Sequence, residues 1–518
     1  VEQISIKPAR SGEPAASIGS VHIHSIFNPE KEAQRFLDTQ VEGIRQKAAV
    51  VIIGSGLGYL DRELKKKRPH STIIAIHLDN RLYHSRIQSS AGPNPVKRWY
   101  PGSEKDIVSF LFEALSETSI RGLRILEWPA SVKALPRVAE QAVRALSTVI
   151  HRYSGNISTT AAFGRLWIKN TLRNYLDLQN VMVPGEISEA VVLAAAGPSL
   201  ESTLDILKKY REHFQLWALP SSLPALMKAN LEPQLIITTD PGYWARLHSR
   251  YFPENVPLAM PLSAAPRQNT DSPIVLISQG TPGEDYLLQN SKWPRLHLVS
   301  RGTVAATAIE LWKKKSTGPL IITGLDLCWN DLRSHARPHS FDGWIASLSS
   351  RKNPINNILW ERAEKLAPDR SGIYRSGPAL KTYTDWFRQN LPPGRVFRLI
   401  HDDLKKSPVV IPGAPDCGPE IFRTSGNPPT VHSFSVKSSP ESFKEKQRKV
   451  RKLISRWKDS LESDYMEVNN ETAELLYTLD PGGVLELGQS GRLEYPEIRI
   501  RHLTRVRKII NQLEAVYG

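Results

Sequence analysis

The chain has 518 residues, with 68 lysines and arginines against 52 aspartates and glutamates, a formal net charge of +16. Hydrophobic residues make up 40% and charged residues 23%, which excludes a mainly disordered, collagen-like or coiled-coil chain; the length suggests roughly three domains of about 150 residues. Two cysteines, Cys328 and Cys417, exclude a disulfide framework, and apolar runs such as Ala48 to Ile53 are far shorter than the roughly 20 residues of a membrane span.

The stretch to about Asn28 alternates in places (Ile4, Ile6; Val21, Ile23) and reads as short strands. Asn28-Pro29-Glu30 predicts a helix start, with an N-cap, a proline in the first turn and an acid. Val1 to Arg10 lacks a basic start followed by an apolar stretch, so no signal peptide is expected, and a cytoplasmic protein without membrane association is. The positive charge calls for an acidic partner, whether nucleic acid, anionic lipid or a phosphorylated small molecule.

A βαβ unit follows. Ala48 to Ile53 is a strand buried on both faces, Gly54-Ser55-Gly56-Leu57-Gly58 a turn, Tyr59 to Lys66 a helix, and Thr72 to Ile76 a second strand ending near Asp79. The turn approaches a dinucleotide fingerprint, but its third glycine comes one residue early, so a turn used only for packing fits as well. Ser158 to Leu178 reads as a helical connector. A second α/β region has strands at Val191–Ala196, Gln215–Leu219, Leu235–Thr239, Ile274–Ser278, Leu296–Val299 and Leu320–Thr323, and a helix at Thr303–Lys313. Alternation of this kind predicts a mostly parallel sheet. Gly394 to Pro429 reads as irregular and proline-rich. Beyond it come helices at Phe443–Trp457, Glu471–Leu479 and Thr504–Val516. The expected domains are therefore 1–155, a connector 156–185, 186–430, and a helical 431–518.

Gly197-Pro198-Ser199-Leu200 lies between a strand and a helix, where glycine, unpaired amides and a hydroxyl make a phosphate or nucleotide site; a plain turn has the same spacing. Asp240 and Asp326 close strands and would lie on the same rim. The loop after Asp326 holds Arg333, His335, Arg337 and His339: arginines for phosphate charge, and a histidine to take a proton from an attacking hydroxyl. Spacing does not choose between His335 and His339. No His-Glu-x-x-His or Cys-x-x-Cys pattern points to a tightly held metal, and a divalent ion is left open. Lys444, Lys446, Arg448, Lys449, Arg451, Lys452, Arg456 and Lys458 crowd one helix; without interleaved aromatics a solvated face is favoured over nucleic-acid binding.

Several motifs together resemble the motility-associated-factor (Maf) flagellin glycosyltransferases. They are His22-Ile23-His24-Ser25, Asn28 to Ala33, Gly54 to Tyr59, Phe163 to Asn170, Ala195 to Leu200, Thr239-Asp240-Pro241, Arg301 to Ala305, and Gly324-Leu325-Asp326-Leu327 with His335. The resemblance spans residues from about 20 to 390. It implies an α/β protein with a Rossmann-like N-terminal domain, a central sialyltransferase-like domain related to 6-hydroxymethylpterin pyrophosphokinase-like (MptE-like) proteins, and a helical C-terminal domain. It further implies transfer of a pseudaminic or legionaminic type of nonulosonic acid from its CMP-sugar to Ser or Thr of flagellin, in support of flagellar assembly and motility, with no tightly bound cofactor. Gly197, Pro198 and Ser199 would cradle the CMP phosphate, and Ser221 and Ser222 would line the ribose or base. Thr303 and Gly324 would add contacts, Asp240 and Asp326 would shape the floor, and His335 would be the general base. The competing expectations are a 6-hydroxymethyl-dihydropterin pyrophosphokinase-like enzyme and a non-catalytic flagellin-binding factor.

Overall fold

Ala49–Ile53 and Ala190–Ala194 carry no polar side chain, and each is a fully buried strand inside a parallel sheet of its own. Burial on both faces demands apolar residues at consecutive positions rather than alternate ones. The computed structural model describes residues 3–44, 48–86, 95–120, 122–267, 274–289, 293–369, 371–400, 411, 413–424, 435–438, 441–462, 470–490 and 496–517. It divides into two units, Val1–Gly164 with Ser463–Ile509, and Arg165–Glu462 with Ile510–Gly518.

In the first unit, β1 (Ile4–Pro8), β2 (Pro14–Ile18) and β3 (Val21–His22) form a small antiparallel sheet. A parallel sheet of order β6-β5-β4-β7 follows, made of β4 (Ala49–Ile53), β5 (Thr72–Ile76), β6 (Lys97–Trp99) and β7 (Arg124–Glu127). Its side chains alternate between two cores. Val50, Ile52, Ile73 and Ala75 pack with Leu37, Leu60 and Leu64; Val51, Ile53, Ile74 and Ile76 pack with Leu111, Ala142 and Leu146. Burying each large aliphatic side chain contributes about 1.5–3 kcal/mol. Helix α1 (Pro29–Asp38) is capped as the sequence predicts, with the Asn28 side chain accepting from the Lys31 N–H at 2.8 Å. Helix α2 (Tyr59–Lys67) follows β4. The predicted connector is the C-terminal part of one 41-residue helix, α3 (Pro136–Leu176), and the division between the units falls inside it. Helices Asn470–Leu479 and Pro481–Ser490 belong to the first unit, as does most of Pro496–Tyr517.

The second unit contains β8 (Asn180–Val183), β9 (Ala190–Ala194), β10 (Phe214–Ala218), β11 (Leu235–Ile237), β12 (Leu258–Pro261), β13 (Ile274–Ser278), β14 (Leu296–His297), β15 (Leu320–Thr323), β16 (Trp329–Asn330), β17 (Ala367–Pro368), β18 (Tyr374–Ser376), β19 (Val396–Leu399), β20 (Asp416–Cys417) and β21 (Ser435–Ser438). The large sheet has the order β20-β19-β15-β9-β10-β11-β12-β13-β8-β21, with β14 beside β13. Every pairing is parallel except β21 with β8. Helices α4 (Leu200–Lys209) and α5 (Val304–Lys315) follow β9 and precede β15. Between β15 and β19 the chain makes an excursion: the antiparallel sheet β16-β18-β17, then within it α6 (Asp342–Ser347) and α7 (Ile355–Ala363).

Two expectations change here. β19 and β20 lie in the stretch predicted to be irregular, part of which is outside the described residues. The run Val396-Phe397-Arg398-Leu399 is broken by Arg398, whose buried guanidinium is neutralised by Asp416 of β20 at 2.6 Å. The basic helix, α8 (Phe443–Glu462), is only partly a solvated face. Lys446 is buried and donates to the Leu178 carbonyl, Lys449 pairs with Glu441 at 3.2 Å, and Lys444, Arg448, Arg451 and Lys452 are exposed. Among the described residues no helix is long and apolar enough to cross a membrane.

Candidate functional site

Strand order reverses between β9 and β15: the chain passes from β9 outward to β13 on one side, then returns to β15 on the other. The loops leaving two such neighbours diverge and open a crevice at their carboxyl ends. A cavity of about 710 Å³ lies there. It is lined by Gly197, Ser221, Asp240, Thr303, Gly324, Asp326 and His335, seven of the residues singled out from the sequence. Pro198, Ser199 and Ser222 do not line it. The buried Ser222 hydroxyl donates to the carbonyls of Ala194 (3.0 Å) and Leu219 (2.8 Å), so it holds the turn after β10 rather than a ligand.

The turn after β9 is closed by the protein itself. Asp326 accepts the Ser199 backbone N–H at 2.8 Å and also its hydroxyl. Leu200 N–H goes to the Gly197 carbonyl at 3.0 Å and Glu201 N–H to the Pro198 carbonyl at 3.3 Å. The amides of Gly197, Ser199, Leu200 and Glu201 and the Ser199 hydroxyl are therefore committed within the protein, and the expectation that Gly197, Pro198 and Ser199 cradle a phosphate is corrected, because none of these groups is a free donor. Gly197 serves close approach: a Cβ there would lie 2.6 Å from the Asp326 carboxyl carbon, and one on Gly324 would collide with the Ala195 carbonyl oxygen. Burial pushes the Asp326 carboxyl above the usual carboxylate range, against the pull of its two Ser199 bonds.

The open donors are on α5 instead. Thr303, Val304 and Ala305 line the cavity, and the Thr303 side chain makes no cap. The Thr307 N–H is the first to find a helical carbonyl, that of Thr303 at 3.2 Å, so the amides of Val304 and Ala305 carry no partner among the described residues. Unpaired amides at the start of a 12-residue helix attract an anion.

Asp240 follows β11, where its carboxylate accepts the Gly242 N–H at 2.8 Å. Two asparagines of α3, to which the sequence assigned no role although Asn170 closes the Phe163 to Asn170 motif, fix the neighbouring loops. Asn170 Nδ2 donates to the carbonyls of Pro241 and Ser263, both at 3.1 Å; Asn174 Nδ2 donates to those of Leu262 (2.7 Å) and Ala264 (2.9 Å). Buried asparagines four apart beside the apolar stripe Ile168, Leu172, Tyr175 were the available signal.

The loop after β16 brings three histidines together: His335 stacks on His339 at 4.1 Å, and His339 meets His248 at 5.4 Å. Only His335 lines the cavity together with His248; His339 is buried behind it, with Nδ1 accepting the Phe341 N–H at 3.3 Å. Burial holds His335 below the usual imidazole range. Burial and the neighbouring rings push His339 down to about 2 and His248 to about 4, so the cluster is neutral at pH 7. Nδ1 of His335 shares a hydrogen bond with the Ser334 hydroxyl at 2.8 Å; with the proton on Nδ1, Nε2 carries a lone pair. Arg333 and Arg337 do not line the cavity. Glu201 takes both, through the Arg333 guanidinium at 3.0 Å and the Arg337 backbone N–H at 2.8 Å. Burial pushes the Cys328 thiol up to about 12, so it is no nucleophile at neutral pH. Among the described residues no set of three or more His, Cys, Asp or Glu is arranged for a metal ion.

The glycine turn of the first unit reads differently. Its strand order also reverses, between β4 and β7, but the crevice is filled from within. The Leu57 N–H donates to His24 Nε2 at 2.9 Å, and a Cβ on Gly56 would lie 2.6 Å from the His24 ring. A Cβ on Gly54 would lie 2.6 Å from Ser131, and Asp79 caps the next helix and pairs with Arg81 at 2.7 Å. The packing use of this turn, not the dinucleotide fingerprint, matches these contacts.

A family model described as 6-hydroxymethylpterin diphosphokinase MptE-like matches residues 167–332. The solved structure of MAf glycosyltransferase from Magnetospirillum magneticum AMB-1 is similar, with a TM-score of 0.55 and 13% identity over 100% of this chain and 91% of that one. At that identity the likeness is one of fold. Both agree with the resemblance read from the sequence, to a Maf-type architecture with an MptE-like central domain. Three uncharacterized proteins of Treponema pallidum (strain Nichols) are 28%, 27% and 26% identical over 59%, 22% and 38% of this chain. The matched segments span 65%, 53% and 36% of those proteins' own lengths.

Proposed function

We propose that the protein is a glycosyltransferase that moves a nonulosonic acid, of the pseudaminic or legionaminic type, from a CMP-sugar to serine or threonine hydroxyls of flagellin. The observation that carries this reading is the cavity at the strand reversal, which joins the open N-terminus of α5 to the neutral ring of His335. The fold likeness to a glycosyltransferase supports it. In this mechanism the donor phosphate sits on the amides of Val304 and Ala305, and Ser221 and Asp240 meet the nucleoside or sugar. The acceptor oxygen bonds to the anomeric carbon while its proton passes to His335 Nε2. The bond from that carbon to the phosphate oxygen breaks, and its electron pair leaves with CMP. The charge that develops there is stabilised by the α5 amides. Asp326 acts through position, holding Ser199 and the start of α4.

The test is co-expression with flagellin in cells that make the CMP-sugar, followed by intact-mass measurement. A gain of one nonulosonic acid per modified site, lost with Asp326→Asn, is expected; no gain with the donor available contradicts the reading. The family match favours one other reading, transfer of diphosphate to a hydroxymethylpterin in the same cavity. Turnover of ATP with 6-hydroxymethyl-dihydropterin, and none of a CMP-sugar, would select it.

A further inference from the structure

The cavity has two kinds of wall. One is built from strand ends and the start of α5, within the segment matched by the family model. Much of the other, with His335, Phe341, Trp344 and Arg362, comes from the excursion beyond residue 332, and Trp244 from the helix after β11 joins it. This second wall is aromatic and continuous. Trp344 meets Trp244 edge-on at 4.7 Å, Trp244 meets Phe341 at 5.5 Å, and Phe341 meets His248 at 5.0 Å, with His339 packed behind against both His248 and His335.

Arg362 stands on that wall, its guanidinium 5.0 Å over the Trp344 ring. Although the chain carries a net charge of +16, Arg362 is the one lysine or arginine among the described residues that lines the cavity. It makes no ion pair with a described residue. A half-buried cation without a protein counter-charge gains most from an anion brought by the ligand. Its planar fork, within cation–π distance of an indole, suits two parallel bonds to a carboxylate. The donor phosphate already has the α5 amides, so the second anion belongs elsewhere on the ligand.

We propose that Arg362 recognises the carboxylate of the sugar bound against the aromatic wall, and so selects a sugar acid over a neutral sugar. This rests on the glycosyltransferase reading and names the residue that sets its donor class. The experiment is calorimetric titration of the full chain with CMP, with CMP-N-acetylneuraminic acid as a carboxylated probe, and with the methyl ester of that probe. Wild type should bind the acid about 10- to 100-fold more tightly than the ester. Arg362→Gln should abolish that preference and bind CMP unchanged, and Arg362→Lys should keep part of it. Equal binding of acid and ester by wild type overturns the proposal. So does an Arg362→Gln that weakens CMP and the acid by the same factor, since the guanidinium would then hold phosphate. Failure of wild type to bind CMP at all is a different result, and it removes the glycosyltransferase reading itself.

Discussion

His335 can take a proton only while its ring is neutral, and burial favours the neutral form. Its folded pKa lies below the ordinary 6.5, so the neutral fraction stays high as pH falls through 6.5 and drops only at lower pH. The acid limb of kcat/KM should therefore lie below pH 6.5. His335→Ala should lose about 10²- to 10⁴-fold in turnover. A limb at or above 6.5, or an alanine variant with full turnover, contradicts this role. The sequence could place His335 and His339 in one loop but not rank them. The ranking comes from burial, because His339 is sealed behind His335 and spends Nδ1 on a backbone amide. The glycines teach the same lesson in reverse. Gly197 was legible as a special position, but its reason is the approach of Asp326, 129 residues along the chain, which no local pattern encodes.

Among the elements, α3 does more than its apolar stripe announces. Ile168, Leu172 and Tyr175 supply the buried face, while Asn170 and Asn174 satisfy four carbonyls of the loops after β11 and β12. Asn170→Ala leaves two of these carbonyls without a donor and should cost about 1–3 kcal/mol in urea unfolding. A change within about 0.5 kcal/mol would mean that water replaces the amide and that the clamp is unimportant. The consecutive apolar runs of β4, β9, β13 and β15 made those strands readable. β12 ends in a proline and β19 contains a buried arginine, so neither has the composition of a core strand. The charge run on α8 was equally legible as a helix. That Lys446 turns inward to the Leu178 carbonyl depends on a partner 268 residues away.

For the whole molecule, two parallel sheets each carry a glycine turn at a strand reversal, and only their surroundings separate them. In the first unit His24 and Ser131 occupy the crevice; in the second it stays open to form the cavity. His24 and His77, whose Nδ1 shares a hydrogen bond with the Gly56 carbonyl at 3.0 Å, report on that filled crevice. Burial pushes them down to about 3 and about 4, below the 6.5 of an exposed imidazole. As pH falls below 6.5 the unfolded chain takes up these protons before the folded one, so stability is full above 6.5 and declines toward pH 4. At pH 4.5 each ring should cost on the order of 2 to 3 kcal/mol. His24→Gln, which keeps an acceptor for the Leu57 N–H, should lose less on acidification, and an unchanged pH dependence would contradict this. A crystal structure of the protein with CMP decides whether the other crevice is the nucleotide site. The nucleotide should lie in the cavity of the second unit, with phosphate oxygens within hydrogen-bond reach of the Val304 and Ala305 amides. CMP in the glycine turn of the first unit, or its phosphate on Ser199 with the Asp326 bonds broken, would contradict it.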